Sequence, residues 1–382
     1  MNKIILRFFI LILLILLVFI VYLSTVGIKT KRFNDQISSQ IKNINENLDI
    51  KLKDIFIVLD PLKFKLKVKT LGVDLDYKNK TIELESINSE ISIKSYFNNR
   101  FSLDELNIST KSIEIKDLIS FIGVFNNDPK IFIAGKFIKK GYLIANVDLK
   151  FDENGKIKDN FKINGLLKNG KIDFFEKNNL SKIDFNFNVE KKKFQIDNAK
   201  LLIDGQKIYI PNLKIEKKDN GFKFLGKLDT DEIRLNEKQI DNLIGTNFLE
   251  KTIDKIEFQS ENFFSFDIDK KFKLKNTQVK SNIKLNNLVF FNKLGLKKAF
   301  SETDKEIILK NHKINLNYND KELILEGAGN ILIEKDDKIK YKITKNKKNI
   351  EFNTSLEILN NKFKLDFINY EKKDKDNLKI DI

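Results

Sequence analysis

Residues 63–69 read Lys-Phe-Lys-Leu-Lys-Val-Lys, a strict alternation of cationic and apolar side chains. Successive side chains of a β-strand point to opposite faces, so this stretch predicts a strand with one apolar face and one solvated face. The same period of two recurs along the rest of the chain, for instance at residues 183–189, 222–224, 272–274 and 314–318. The pattern therefore predicts a mainly β protein.

Short turn signals separate the apolar runs, among them Asn154-Gly155, Asn169-Gly170, Asp204-Gly205 and Asn319-Asp320. Strands joined by such tight turns pair as antiparallel neighbours, which predicts a long meander. A meander of this length exceeds what one open sheet normally accommodates, so we expect a spiral or rolled sheet with one continuous apolar face. Few short helices are expected, and helical patterns appear at residues 117–125 and 237–253.

The apolar face has two interpretations. Its side chains either fill the roll as an ordinary core, which the pattern alone slightly favours, or line an open trough suited to acyl chains. The N-terminal segment favours the trough, because it connects the protein to a membrane.

This N-terminal segment is apolar from residue 8 to residue 26, apart from three polar residues near its end. As a helix it spans about 28 Å, close to the hydrocarbon thickness of a bilayer. Lys3 and Arg7 precede it as in a signal peptide, but no cleavage site of small residues follows. Residues 1–28 are therefore predicted to form an uncleaved signal anchor, whose membrane-facing side chains are Phe8, Leu11, Leu14, Leu17, Ile20 and Val26.

Basic residues flank both ends of the anchor, because Lys29, Lys31 and Arg32 follow it, so the positive-inside bias nearly cancels. The signal-like N-terminus favours export. We therefore expect a single membrane pass, with the body of the protein on the far side from the cytoplasm.

Behind the anchor, an apolar side chain recurs every three or four residues, at Phe33, Ile37, Ile41, Ile44 and Leu48. This spacing predicts a helix with one apolar stripe. Because strand patterns begin at once afterwards, we expect the helix to cap the end of a β core in preference to lying on the membrane surface.

The chain has 382 residues, a formal charge of +16, no Cys and a single His. Almost all of the positive charge is Lys, spread along the strand patterns, whereas nucleic-acid recognition depends strongly on Arg, so no nucleic acid is expected as a partner. His312 lies in a polar stretch and is predicted to be a solvated surface residue. Gly327-Ala328-Gly329 lacks the helix that a phosphate-binding loop requires. We expect no catalytic residues, no metal site and no cofactor.

The arrangement resembles a known family. After the anchor come Leu-Gly-Val-Asp-Leu at 71–75, a strand at 87–93, Tyr-Phe-Asn-Asn-Arg-Phe-Ser-Leu-Asp-Glu-Leu-Asn-Ile at 96–108, and Ser-Ile-Glu-Ile at 112–115. This order is similar to the opening module of AsmA-like proteins of the TamB and YhdP type, which are related in shape to chorein-type bridge proteins. The resemblance covers residues 1 to about 118 and continues beyond them only in style. It divides the chain into the anchor at 1–28, an AsmA-like module at 29–118, and a continuation of the groove at 119–382.

The resemblance implies a single-pass anchor in the inner membrane and an elongated groove in the periplasm, a β-taco, that shields or conducts phospholipid acyl chains between the inner and outer membranes. Its expected partners are phospholipids or other acyl-chain lipids, the inner membrane, and an outer-membrane or periplasmic protein. The candidate groove residues are Phe64, Leu66, Val68, Val73, Leu75, Phe224 and Leu274. The family has no catalytic residues to carry over.

Two other functions remain open. The chain is also compatible with an envelope assembly factor that assists outer-membrane protein biogenesis by offering strand edges. It further resembles an anchored β component of lipopolysaccharide export, although such a component needs far fewer strands.

Overall fold

A computed structural model describes residues 3–44, 46–77, 80–98, 102–125, 135–174, 178–244, 253–291, 296, 299–300, 306–373 and 376–382. The chain is mainly β, and the strand pairs of the described residues are antiparallel, as the period of two predicts. It divides into two compact units: unit 1 comprises residues 1–173 and 182–194, and unit 2 comprises residues 174–181 and 195–382.

Unit 1 begins with the long apolar helix and continues with strands and short helices. Its elements are α1 (Lys3–Thr25), β1 (Ile28–Thr30), α2 (Asn34–Ile44), β2 (Leu48–Lys51), β3 (Ile55–Asp60), β4 (Lys65–Tyr77), β5 (Lys80–Ser92), α3 (Ile93–Phe97), β6 (Leu103–Thr110), β7 (Ile113–Glu114), α4 (Ile115–Phe125), β8 (Ile138–Lys150), β9 (Lys162–Phe174) and most of β10 (Asn178–Glu190). Pairing runs β1–β3–β4–β5–β6–β8–β9, with β2 also on β4 and β7 also on β8.

The core of unit 1 is a cluster of five buried residues: Ile50, Val73, Ile82, Leu84 and Ile113. Ile37 of α2 and Leu118 and Phe121 of α4 pack against this cluster. The predicted amphipathic helix is therefore confirmed as a cap on the β core through Ile37, while the side chains of Ile41 and Ile44 lie outside the described residues. Phe33 precedes α2, and Leu48 belongs to β2.

Gly72 interrupts the alternation of β4. Its φ of +60° is a left-handed conformation that glycine adopts readily and other residues rarely. Before Gly72 the even-numbered residues Leu66, Val68 and Thr70 are the less exposed ones, whereas Val73, an odd-numbered residue, is completely buried. The strand thus keeps an apolar face although the residue numbers change parity.

Unit 2 consists largely of long hairpins. Its elements are most of β11 (Lys193–Ile203), β12 (Gln206–Lys218), β13 (Gly221–Asn236), α5 (Glu237–Ile244), β14 (Ile253–Asp269), β15 (Leu274–Phe291), β16 (Glu306–Asn319), β17 (Glu322–Leu332), β18 (Asp336–Asn346), β19 (Ile350–Ile358), β20 (Lys364–Leu365), a 3-10 helix (Asp366–Ile368), β21 (Tyr370–Glu371) and β22 (Leu378–Asp381). Pairing follows chain order from β12 to β19, and β22 then pairs with β19.

Three local expectations are wrong. Phe64 and Phe272 were expected in strands but lie in turns at φ of +52° and +58°. Acidic side chains stabilise these turns, because Asp60 accepts a hydrogen bond from the Lys63 amide, and Asp269 accepts one from each of the amides at residues 271 and 273. The Lys275 ammonium, 2.9 Å from the Asp269 carboxylate, and those two amides lower the pKa of Asp269 to about 2.

The third error concerns Asn169-Gly170, which is not a turn, since β9 runs straight through it. Asn169 has a φ of +52°, and its amide donates to the Asp184 carboxylate. A Cβ on Gly170 would lie 2.9 Å from the Ile183 Cβ. The pair therefore marks an irregularity within β9, where the neighbouring strand β10 approaches closely. Of the helical pattern at 237–253, a helix is described over Glu237–Ile244, residues 245–252 lie outside the described residues, and Ile253 begins β14.

Candidate functional site: the apolar sheet face

The segment Leu6–Thr25 of α1 is long and apolar enough to cross a membrane. Of the predicted anchor residues, Phe8, Leu11, Leu14 and Leu17 are exposed and Ile20 is partly exposed, while Val26 lies just beyond the helix end and is exposed. Near that end the hydroxyls of Ser24 and Thr25 donate to the carbonyls of residues 20 and 21, so even these polar groups are satisfied within the helix. No described residue buries the apolar surface of this window.

The groove candidates of unit 1 fall into three environments. Leu66 and Val68 are half-buried on β4, where Leu66 pairs with Leu59 and with Ile91 across the sheet. Phe64 is exposed in the turn before β4. The last two candidates, Val73 and Leu75, belong to the packed core and its margin, and Val73 has no exposed surface.

In unit 2, Phe224 lies within a patch of aromatic rings on one sheet face. It is the direct partner of Phe266 on β14, and their stacked ring centroids are 4.8 Å apart. Phe264 stacks on Phe266 at 5.9 Å, opposite Gly226. A Cβ on Gly226 would lie 2.6 Å from the Phe264 ring, so glycine leaves the space that the ring occupies. We call Phe224, Phe264 and Phe266 the aromatic patch; all three side chains are half-buried.

The hairpin turns of unit 2 at residues 219–220, 270–273, 320–321 and 347–349 all lie at one end of the strands, which we call the turn end. Large apolar side chains stay exposed close to these turns: Phe222, Leu274, Tyr318, Ile350 and Phe352. The last groove candidate, Leu274, is the first residue of β15 and pairs with Ile268. The turn end therefore presents apolar surface that no described residue covers.

The opposite ends of the same strands carry a filled core, and we call this the closed end. One cluster joins Ile208, Ile233, Leu235 and Ile240 of α5, and a second joins Phe300, Ile307, Ile331, Ile333, Ile358 and Phe363. Along β19 the exposed fraction falls from 62% at Phe352 to 0% at Ile358. In unit 2 the apolar face is thus ordinary core at one end and uncovered surface at the other.

Between the two ends, polar side chains cross the face on β13 and β14. The hydroxyls of Thr230 and Ser260 are 3.2 Å apart, and the Ser260 amide donates to the Thr230 hydroxyl at 2.8 Å. The Asn262 amide group donates to the Ser260 hydroxyl and to the Leu228 carbonyl. These groups satisfy one another, which explains how polar residues lie within an apolar face without a large desolvation penalty.

His312 was expected to be a solvated surface residue. This expectation is wrong, because the residue is only 1% exposed. Its Nε2 lies 2.9 Å from the Asn330 carbonyl and its Nδ1 lies 3.2 Å from the Tyr341 hydroxyl, whose ring stacks on the imidazole. Added Cβ atoms would overlap the Tyr341 ring at Gly327 and the imidazole at Gly329. The two glycines of Gly327-Ala328-Gly329 therefore make room for these rings, and this spacing was the available signal for a buried His.

Burial makes the stability of unit 2 sensitive to mildly acidic pH. Desolvation lowers the pKa of His312 below its ordinary value of 6.5, and burial raises the pKa of Tyr341 to about 12, so Tyr341 stays neutral. The unfolded chain then binds the His312 proton more readily than the folded chain does. Stability is fully present above the ordinary His pKa and falls as pH drops through it.

We expect the urea midpoint to decrease between about pH 7.5 and pH 5.5 in the wild type, and to change less in His312→Gln. Equal pH dependence of the two proteins over this range would show that His312 does not titrate on unfolding.

Among the described residues, no group of three or more His, Cys, Asp or Glu side chains is placed to hold a metal ion. Acidic groups are instead paired with lysines at the surface, as Glu326 is with Lys342 at 2.8 Å. Exposed ion pairs of this kind lie on the solvated face of the sheet, and each contributes little to the free energy of unfolding. The chemistry that the described residues do offer is apolar contact along one sheet face.

The chain matches no protein-family model, no curated protein sequence and no solved structure.

Proposed function

We propose that the protein is anchored by α1 in the inner membrane and shields phospholipid acyl chains along the apolar face of its periplasmic sheet, between the inner and outer membranes. This is the role that its resemblance to AsmA-like proteins implies. The observation that carries the proposal is the turn end of unit 2, where the apolar face remains uncovered although the same face is filled at the closed end.

Acyl chains are the occupants that suit this surface. The aromatic patch offers stacked rings, the cross-strand partner of Phe224 on β12 is the aliphatic Ile215, and each methylene removed from water contributes about 0.8 kcal/mol. A soluble protein rarely leaves a large contiguous apolar surface without a partner. The exposed α1 supplies the contact with a membrane from which lipid would come.

Adjacent phenylalanines on opposite faces allow a matched test. Phe264 belongs to the aromatic patch, whereas Phe263 points to the other face, beneath the ammonium of Lys227 at 5.5 Å from its ring centroid. A photoreactive phenylalanine analogue at residue 264 is expected to form covalent adducts with phospholipid in cells, and the same analogue at residue 263 is not. Adducts of equal yield at both positions, or at neither, would contradict the proposal.

A second candidate function has one observation in its favour. β22 pairs with β19 only from Ser355 to Ile358, with a further backbone bond pair between Thr354 and Ile382. Residues 350–353 of β19 carry no further strand among the described residues, and Ile350 and Phe352 are exposed there. An unpaired apolar edge accepts an added strand, as an assembly factor would require. Crosslinks from residue 352 to protein, with none from residue 264 to lipid, would favour this function.

A further inference from the structure

The polar face of unit 1 has a concavity beside the end of the anchor helix. Gly27 follows α1 and lies so close to β3 that an added Cβ would be 2.6 Å from the Ile57 carbonyl and 2.9 Å from the Val58 side chain. β1 then pairs with β3, and the Lys29 ammonium lies 5.5 Å above the Phe56 ring. Phe56 and Val58 therefore lie close in space to the end of α1, where the helix would leave the membrane.

Phe56 and Val58 form one wall of a cavity of about 450 Å³. Its floor follows two cross-strand rows. In the first row Phe56 pairs with Lys69, which pairs with Asn88, which pairs with Asn107.

The second row runs alongside the first. Val58 pairs with Lys67, which pairs with Glu90, which pairs with Glu105. The two rows are separated by two residues along each strand, roughly 7 Å. The cavity thus has an apolar side towards the helix and a polar side with both signs of charge.

Ion pairs within unit 1 neutralise two of the four charges in these rows. Lys67 pairs with Asp60 at 3.2 Å, and Glu105 pairs with Lys150 at 2.8 Å. The second row and its surroundings still hold an excess carboxylate.

That excess arises because the Lys65 ammonium is shared between Glu90 at 2.9 Å and Asp104 at 3.1 Å, so one negative charge remains uncompensated. Lys69 in the first row has no ion pair with any described residue, so one positive charge remains as well. The cavity therefore presents the unpaired ammonium of Lys69 in one row and, in the other, the Glu90 carboxylate, whose partner Lys65 is shared with Asp104.

We propose that this cavity binds the headgroup of a zwitterionic phospholipid with a primary ammonium, such as phosphatidylethanolamine, from the membrane that holds α1. The phosphate lies against Lys69, where the amides of Asn88 and Asn107 can donate hydrogen bonds. The ammonium lies against the carboxylate of Glu90, and the glycerol end contacts Phe56 and Val58. The membrane location rests on the proposed function, whereas the headgroup preference rests on the charges alone.

A purely anionic headgroup fits this arrangement less well. It would bring negative charge towards the carboxylates of the second row and leave them without a partner, and like charges in proximity are unfavourable. A zwitterion satisfies both free charges at once. Because Lys69 is exposed, we expect the preference to be moderate, about three- to fivefold, as for interactions between surface charges.

The test uses the full-length protein in detergent, incubated with equimolar phosphatidylethanolamine and phosphatidylglycerol, with the retained lipids measured by native mass spectrometry. Wild-type protein is expected to retain an excess of phosphatidylethanolamine. Lys69→Ala and Glu90→Gln should each reduce that excess, and Lys139→Ala, which removes another exposed lysine of unit 1, should not. Circular dichroism on each variant establishes that it is folded.

Equal retention of both lipids by the wild type would overturn the inference, as would an excess of phosphatidylethanolamine that persists in Lys69→Ala and Glu90→Gln. An excess of phosphatidylglycerol that Lys69→Ala removes would overturn the zwitterionic assignment. The ratio of the two lipids reports on this cavity, whereas the total amount of lipid lost on disrupting the aromatic patch reports on the proposed function. Either can therefore fail without the other.

Discussion

Phe224→Asp is expected to leave the chain folded and membrane-bound but to remove most of its bound phospholipid. Phe224 is half-buried within the aromatic patch, towards the turn end, so a carboxylate there can still reach water. Lipid methylenes cannot solvate that charge, and burying it beneath an acyl chain would cost several kcal/mol. The amount of copurifying phospholipid beyond that held around α1, measured by mass spectrometry, is expected to fall at least about tenfold.

Two control substitutions separate this effect from unfolding and from charge. Ile358→Asp introduces the same carboxylate at the closed end, where the side chain is fully buried, and is expected to unfold unit 2. Phe263→Asp introduces it on the opposite face, where 48% of the side chain is exposed, and should leave both fold and bound lipid unchanged. If Phe224→Asp unfolds like Ile358→Asp, the patch is ordinary core; if it keeps its lipid, the patch does not contact acyl chains.

Asp337→Ala is expected to produce the largest loss of stability that a single polar substitution causes in unit 2. The carboxylate is 1% exposed and accepts hydrogen bonds from the Leu359 amide at 2.7 Å, the Asn360 amide at 2.8 Å and the Asn361 side-chain amide at 2.6 Å. Removing it leaves three donors without their acceptor at the closed end. Because each such bond to a charged group contributes about 1.5–3 kcal/mol, we expect the free energy of unfolding to fall by about 3–5 kcal/mol.

The neighbouring Asp336 provides the control. Its side chain is 51% exposed and lies 3.9 Å from the Lys310 ammonium, so Asp336→Ala should change the free energy of unfolding by less than about 0.5 kcal/mol. Urea unfolding of both variants gives the comparison. Similar midpoints for Asp336→Ala and Asp337→Ala would mean that the hydrogen bonds of Asp337 are replaced when it is removed.

The sequence predicts the fold class well because the period of two is a property of each strand by itself. The alternation at Leu66 and Val68, and the 20-residue apolar window of α1, both appear in the structure as expected. The change of parity at Gly72 was also visible as a shift from even to odd apolar positions. It could have been assigned to a left-handed glycine within the strand.

Positive-φ turns are harder to predict, because the residues that adopt them here are not glycine. Phe64 and Phe272 continue an apolar alternation in the sequence, yet hydrogen bonds to Asp60 and Asp269 fold the preceding residues into turns. The acceptors lie three or four residues before each Phe. A prediction from the alternation alone therefore makes both strands too long, because the side-chain hydrogen bonds that form these turns do not change the apolar periodicity.

Burial by distant strands is the other limit. His312 is surrounded by polar neighbours in the sequence, but Tyr341 and Asn330 on the next two strands enclose it. Val73 and Phe224 have similar alternating contexts, yet one is core and the other borders uncovered surface. Helices such as α4 and α5 and long connections determine which apolar residues are covered. The strand pattern does not predict where these segments pack.

We propose that the chain holds phospholipid on the apolar face of its sheet. This can be tested by native mass spectrometry of the full-length protein, purified in mild detergent beside the Phe224→Asp variant. We expect phospholipid in at least stoichiometric amount on the wild type and a clear loss on the folded variant. Lipid around α1 is common to both proteins, so the difference between them reports on the sheet face. Wild-type protein without bound phospholipid, or with the same amount as Phe224→Asp, would contradict it.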